Sequence, residues 1–347
     1  MTETPSRRRG TTSLPPLIAP PQPPDPRRVA VCRTEGRFVH RVNPADIGEL
    51  LGQPGQFVWL DIQDPQEDDE ALLREVFGFH PLAIEDATRH HERPKVDFYQ
   101  GYYLLVFYAI SYDRESGWLV TQPLNLFIGS NYIVSVHRGP LAVIDETIER
   151  WQRNEEGLGW EAGGLLYALL DPIVDDYFPV IDELAERVEG IEEQIFARFE
   201  PSALQEVFAL KRDLLSIRRI VAPERDVLSV LIRREVPIFD RHIVVYLQDV
   251  YDHLIRVTDS LDTYRDLLAS ALDVFLSVQS NQLNQIVKAL TIASIILMSD
   301  ALIAGIYGMN FDVMPELRWA YGYLWALGLM AAVSLGLILF FRWRRWL

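Results

Sequence analysis

The sequence predicts a mixed α/β domain, then a long helical stalk, then a two-helix transmembrane unit. Three observations carry this. Segments rich in β-branched and aromatic residues crowd positions 29–137, and helical periodicity replaces them afterwards. From Asp240 onward there is no glycine until Gly305 and no proline until Pro315. Two long apolar runs close the chain.

The first 28 residues form an arm expected to be disordered. Arg7, Arg8 and Arg9 are followed by Pro15, Pro16, Pro20, Pro21, Pro23 and Pro24, not by the apolar run of a signal peptide. An α/β domain is expected over 29–160. Its strand-like segments are Arg28 to Cys32, Phe57 to Ile62, Tyr102 to Tyr112, Trp118 to Ile128 and Tyr132 to His137. A short helix starts at Pro81, with longer helices over about 140–153, 164–199 and 202–235. Residues 161–288 are the helical region and stalk. An uninterrupted helix from Asp240 would run roughly 70 residues, about 105 Å at 1.5 Å per residue. Leu247, Val250, Leu254, Val257, Leu261, Tyr264 and Leu268 alternate spacings of three and four, a heptad seam that requires a bundle or coiled-coil partner.

The runs 289–309 and 319–341 are long enough to span a bilayer, and Asp300 is the only charge in either. The polar loop 310–318 separates them. Trp319, Tyr321, Tyr323 and Trp325 resemble an interfacial aromatic belt. Lys288 precedes the first run. The tail 342–347 carries Arg342, Arg344 and Arg345, so positive charge favours both outer flanks and both termini are expected in the cytoplasm. The tail is also expected to act as an anchor at the lipid headgroups.

Charge and composition narrow the function. The formal net charge of -16 argues against nucleic acid and for cations as partners. Cys32 is the sole cysteine, which suits a cytoplasmic bulk domain. There is no P-loop, dinucleotide fingerprint or zinc-protease His pair, so an enzyme is not expected. A second stripe, Asp273, Ser277, Ser280, Asn284, Val287, Thr291, Ser294, Met298, Ala301 and Gly305, is polar or small. Such a stripe serves either close helix packing or a wet pore wall, and its continuation below the membrane favours the pore. Two spans cannot enclose a pore alone, so an oligomer around an axis follows. Leu290 and Met298 lie along the apolar part, where a constriction could gate by dewetting or simply pack.

The end of the first span, Gly305-Ile306-Tyr307-Gly308-Met309-Asn310-Phe311, is followed by Met314-Pro315-Glu316-Leu317. This resembles the CorA family of magnesium channels, whose signature at this place is Gly-Met-Asn. The resemblance also touches His80-Pro81-Leu82-Ala83-Ile84-Glu85-Asp86 and Arg93-Pro94-Lys95-Val96. It implies a homopentameric funnel in a plasma or inner membrane, with the first spans lining the pore, carrying Mg2+ and Co2+. Tyr307, Gly308, Met309 and Asn310 would form the filter, with Asp312 and Glu316 raising local cation concentration. It further implies regulatory Mg2+ between subunits at Asp86 and Asp249, with Glu85 and His253 as weaker candidates. Asp273 becomes an ion-sensitive neck position. Asp300 departs from the family pattern: it either grips a neighbouring helix through a hydrogen bond or serves a proton-linked step, as in a proton-coupled zinc transporter.

Overall fold

A computed structural model describes residues 27–34, 37–40, 42, 46–89, 93–113, 118–153, 161–197, 201–233, 238–310 and 314–346. Nearly all of the amino-terminal arm, and Asp312 of the loop, lie outside them. The chain divides into two compact units. One combines the described part of 1–183 with Asp213–Leu261, and the other combines Leu184–Arg212 with Asp262–Leu347.

The first unit is built on a seven-stranded sheet. Its strands are β1 (Arg28–Thr34), β2 (Arg37–His40), β3 (Gln56–Gln63), β4 (Lys95–Tyr99), β5 (Tyr102–Asp113), β6 (Trp118–Ile128) and β7 (Tyr132–His137). Their order is β2-β1-β3-β7-β6-β5-β4. Only β3 and β7 pair in parallel, with Leu60 opposite Val134. The other neighbours are antiparallel, as in the β5–β6 ladder that sets Phe107 against Leu124.

Both faces of the sheet are covered, which explains why β3 is buried along nearly its whole length. On one face Val58, Leu60, Ile62, Val106, Phe127, Val134 and Val136 join residues of α1 (Ile47–Leu51), α2 (Glu67–Glu75) and α3 (Pro81–Thr88). On the other, Phe57 and Trp59 meet the edge of Trp151 at 5.9 and 6.1 Å. Trp151 belongs to α4 (Ala142–Arg153).

Helices follow. The single helix expected over 164–199 is two, α5 (Ala162–Asp175) and α6 (Tyr177–Ala197). Pro179 explains the break, because its ring nitrogen cannot donate to the Asp175 carbonyl and its ring crowds that group. Pro172 is tolerated inside α5. The Ala168 carbonyl that it leaves without a backbone donor accepts from the Thr147 hydroxyl at 3.1 Å. Then come α7 (Pro201–Arg233), α8 (Arg241–Tyr307) and α9 (Gly322–Trp343). At 67 residues, α8 is the uninterrupted helix that the absence of proline and early glycine predicts.

The heptad seam of α8 is buried by the chain's own elements: Leu247, Val250, Leu254, Val257, Leu261 and Leu268 are all at most 2% exposed. Gly163 of α5 shows how closely α8 is packed there, since a Cβ on it would lie 2.9 Å from the Ile243 side chain.

Two buried polar networks tie the first unit together. In the sheet, Trp59 Nε1 donates to Ser135 Oγ at 2.9 Å, and Ser135 donates to Asp61. His137 sets Nε2 3.2 Å from Asp61 Oδ2 and Nδ1 2.8 Å from the Gly139 carbonyl. Both ring nitrogens face acceptors, so this geometry favours the imidazolium. Burial alone lowers its pKa, but the bond to Asp61 and that carboxylate's charge raise it overall.

The second network surrounds Glu224 of α7, which is fully buried. Tyr108 N–H donates to its Oε1 at 2.9 Å. The Tyr177 hydroxyl bonds the Tyr108 carbonyl and lies 3.0 Å from Oε2. A carbonyl only accepts, so Tyr177 spends its one proton there. The Glu224 carboxyl must then supply the proton between Oε2 and Tyr177. Glu224 is therefore a neutral acid, and burial pushes its pKa well above the ordinary carboxyl range, opposed by the bond from Tyr108 N–H.

Candidate cation sites

In the second unit, α8 closes on backbone bonds from Gly308 N–H to the Ala304 carbonyl (2.9 Å) and from Met309 N–H to the Ile306 carbonyl (3.3 Å). A Cβ at Gly308 would sit 3.1 Å from the Ala304 carbonyl oxygen, so a larger residue would need the helix end to shift slightly. Met309 and Asn310 stand exposed just past the helix.

A 3₁₀ turn, Pro315–Arg318, leads into α9. Gly322 is required there, because a Cβ would lie 2.1 Å from the Glu316 carbonyl oxygen. Glu316 is thereby held beside the first turn of α9, where Trp319 packs near Trp325 at 6.3 Å.

The carboxyl-terminal part of α8 and the whole of α9 are long and apolar enough to cross a membrane, and few of their residues are buried in the isolated chain. The stripe Asp273, Ser277, Asn284, Val287, Ser294, Met298 and Ala301 is exposed, as is Leu290, and Thr291 is half-buried. Nearly every residue from 279 to 290 is equally exposed, so exposure alone does not single out one face.

In the first unit, Asp86 of α3 is half-buried and accepts from Lys95 Nζ at 2.7 Å, while Lys95 also reaches Asp97 at 3.1 Å. Burial works against the Lys95 charge, but hydrogen bonds to Asp86 and Asp97 and their charges raise its pKa overall. Glu85 beside it is half-buried, and its backbone carbonyl accepts from Arg89 N–H. Among the described residues no hydrogen bond or ion pair joins Asp86 to Asp249.

Asp249 and His253 lie one turn apart on α8 and face α5. His253 Nδ1 is 3.2 Å from Asp175 Oδ1, within ion-pair range but outside hydrogen-bond geometry. Phe178 meets the His253 ring edge-to-face at 5.5 Å. Asp171, Asp175 and His253 place one potential ligand atom each within 4.8 Å of one another. Burial raises the Asp171 pKa, and the charges of Asp175 and Asp249 add to it, against a hydrogen bond from Tyr167 and the influence of His253. Tyr167 is pushed up to about 12 by burial and by the Asp171 charge.

Concentrated negative charge of this kind is relieved by a cation. The carboxylates suit hydrated Mg2+, and the imidazole suits a transition ion such as Co2+. Asp171, Asp175 and Tyr167 are absent from the residues singled out in the sequence as metal ligands. The signal was present: Asp171 and Asp175 repeat the four-residue spacing of Asp249 and His253, which puts each pair on one helix face.

A model of the CorA-like Mg2+ transporter protein family matches residues 54–345. The cobalt/magnesium transport protein CorA of Thermotoga maritima is 36% identical over 291 residues, which cover 83% of this chain and 83% of that protein. The chain belongs to the CorA family. A putative metal ion transporter of Bacillus subtilis, YfjQ, is 37% identical over 299 residues, covering 86% of this chain and 92% of the relative. The complete structure of the CorA magnesium transporter from Methanocaldococcus jannaschii superposes with a TM-score of 0.77 at 23% identity, over 91% of this chain and 97% of that one. At that identity the likeness speaks for the fold. The CorA match takes in every candidate residue from Glu85 to Glu316.

Proposed function

We propose that this protein is a divalent-cation channel that admits Mg2+, and also Co2+, across a plasma or inner membrane. It would act as a homopentamer whose first spans, 289–309, line the pore. Residues 319–341 form the second span, the loop 310–318 lies outside, and both termini lie in the cytoplasm. The observation that supports this best is the placement of Tyr307-Gly308-Met309-Asn310 at the end of one unbroken 67-residue helix, next to a second apolar helix, in a CorA-family chain.

The chemistry suits the ion. Mg2+ gives up its waters reluctantly, so a filter that bonds to the hydrated ion avoids the dehydration cost. The side-chain carbonyl of Asn310 and backbone groups near Gly308 offer neutral acceptors. A carboxylate ring would hold a divalent ion too tightly for release, whereas Glu316 and Asp312 at a distance would attract it.

Intracellular Mg2+ would close the channel by binding acids between subunits, with Asp86 and Asp249 as main ligands and Glu85 and His253 beside them. The gathering of Asp171, Asp175 and His253 beside Asp249 supports a cation role for this face. Lys95 would be displaced from Asp86 when an ion binds. The ion shifts the closed population only by its differential affinity for the two states.

Uptake of Mg2+ into proteoliposomes, driven by its own gradient and the membrane potential, tests the reading. Uptake is expected in the wild type and lost in Asn310→Ala with assembly intact. Zinc uptake that requires a proton gradient and fails in Asp300→Asn would favour the proton-coupled alternative instead. Full inhibition by internal Mg2+ retained in Asp86→Ala and Asp249→Ala would refute the regulatory assignment.

A further inference from the structure

Asp300 lies in the middle of an apolar run, and no other charged residue occurs from Ala289 to Met309. Its carboxyl oxygens lie 3.1 and 2.9 Å from the hydroxyl of Ser334, half-way along α9. Both side chains are half-buried, although most of the surrounding helix surface is exposed in the isolated chain. Ser334 is the only residue between Trp325 and Arg342 whose side chain carries a hydroxyl, amide or charge. Two isolated polar groups, 34 residues apart in sequence, thus meet each other. In hydrocarbon neither has water as an alternative partner.

We propose that Asp300 and Ser334 form a hydrogen-bonded clamp that positions the first span for conduction. This rests on the reading of that span as the pore wall. Asp300 is two residues after Met298 and one before Ala301, both on the candidate pore face. At 100° per residue its side chain projects about 200° from Met298 and about 100° from Ala301, outside the candidate pore face. A bond there fixes the rotation of α8 about its axis, and so fixes which residues face the pore. It acts about 10.5 Å, or seven residues, before Tyr307. The contact needs an acceptor oxygen at position 300 and a donor at 334, so Asp300 acts here as a positioning residue and not as an ion ligand.

The test uses full-length protein in liposomes, with Mg2+ flux and thermal unfolding measured on Asp300→Leu, Ser334→Ala, the double variant and Asp300→Asn. Asp300→Leu and Ser334→Ala are each expected to lower maximal flux by about three- to twenty-fold, the range that a single interhelical hydrogen bond in a bilayer supports. The half-saturating Mg2+ concentration should stay unchanged. The double variant should be no worse than either single one, and Asp300→Asn, which keeps an acceptor oxygen, should stay within about two-fold of wild type. Strictly additive losses, a silent Ser334→Ala, or an Asp300→Asn as impaired as Asp300→Leu would overturn the clamp. Thermal melts separate the two readings. Wild-type protein without Mg2+ flux would sink the conduction reading and the positioning role with it, while thermal coupling between 300 and 334 would leave the contact itself standing.

Discussion

Replacing Glu224 by glutamine is expected to leave the fold intact and to change how its stability depends on pH. The proton count around Tyr177 makes Glu224 a neutral donor at Oε2 and an acceptor at Oε1. A carboxamide has the same donor and acceptor at the same places. Glu224→Gln should therefore shift stability at pH 5 by less than about 1 kcal/mol, one well-formed hydrogen bond. Glu224→Ala strands the buried Tyr108 N–H, at about 1–3 kcal/mol, and opens a cavity besides. The pH dependence has a definite sign. The folded pKa of Glu224 is raised well above 4.5. The stabilisation is thus full below the unfolded value and is lost as pH rises toward the folded one. Within that window the loss is at most about 1.4 kcal/mol per pH unit. The assay is thermal unfolding of detergent-solubilised full-length protein from pH 5 to 8, followed by near-ultraviolet circular dichroism. The wild type should lose more stability over this range than Glu224→Gln. Parallel curves, or a Glu224→Gln as damaged at pH 5 as Glu224→Ala, would refute the neutral-acid assignment.

His137→Gln removes a cation whose raised pKa contributes stability below about 6.5 that fades as pH climbs through the folded value, so its stability should depend less on pH than that of wild type above about 6.5, read from thermal melts. Gly163→Ala drives a methyl against Ile243 and should destabilise the protein by about 1–3 kcal/mol, read from the same melts. Gly322→Ala forces the Glu316 carbonyl aside and should reduce Mg2+ uptake at least ten-fold with assembly unchanged, on the rough scale of a misplaced binding group. His253→Ala should weaken Co2+ binding, followed by its visible absorption, by about ten-fold or more while affecting Mg2+ less, because imidazole is the softer ligand.

Much of the architecture was legible in the residues alone. The long helix followed from the missing proline and glycine after Asp240, since each element of such a helix is local. The apolar runs followed from length and charge alone, and the proposed filter Tyr307-Gly308-Met309-Asn310 stood out because its residues are contiguous. The short edge strands β2 and β4, and the break between α5 and α6, were not read from the sequence. Edge strands owe their pairing to a neighbour, and the break depends on a proline that α5 shows can also be tolerated, when Thr147 supplies the missing donor.

The sequence by itself determined the succession of α/β domain, long helix and candidate spans, the Gly-Met-Asn motif and the family resemblance, because these depend on neighbours within a few residues. Only the tertiary structure decided that Asp171 and Asp175 stand beside His253, that Glu224 must hold a proton, and that Asp300 meets Ser334. Those facts depend on distances between groups that are tens of residues apart, and on how many protons each group has to share. Composition and periodicity carry neither quantity.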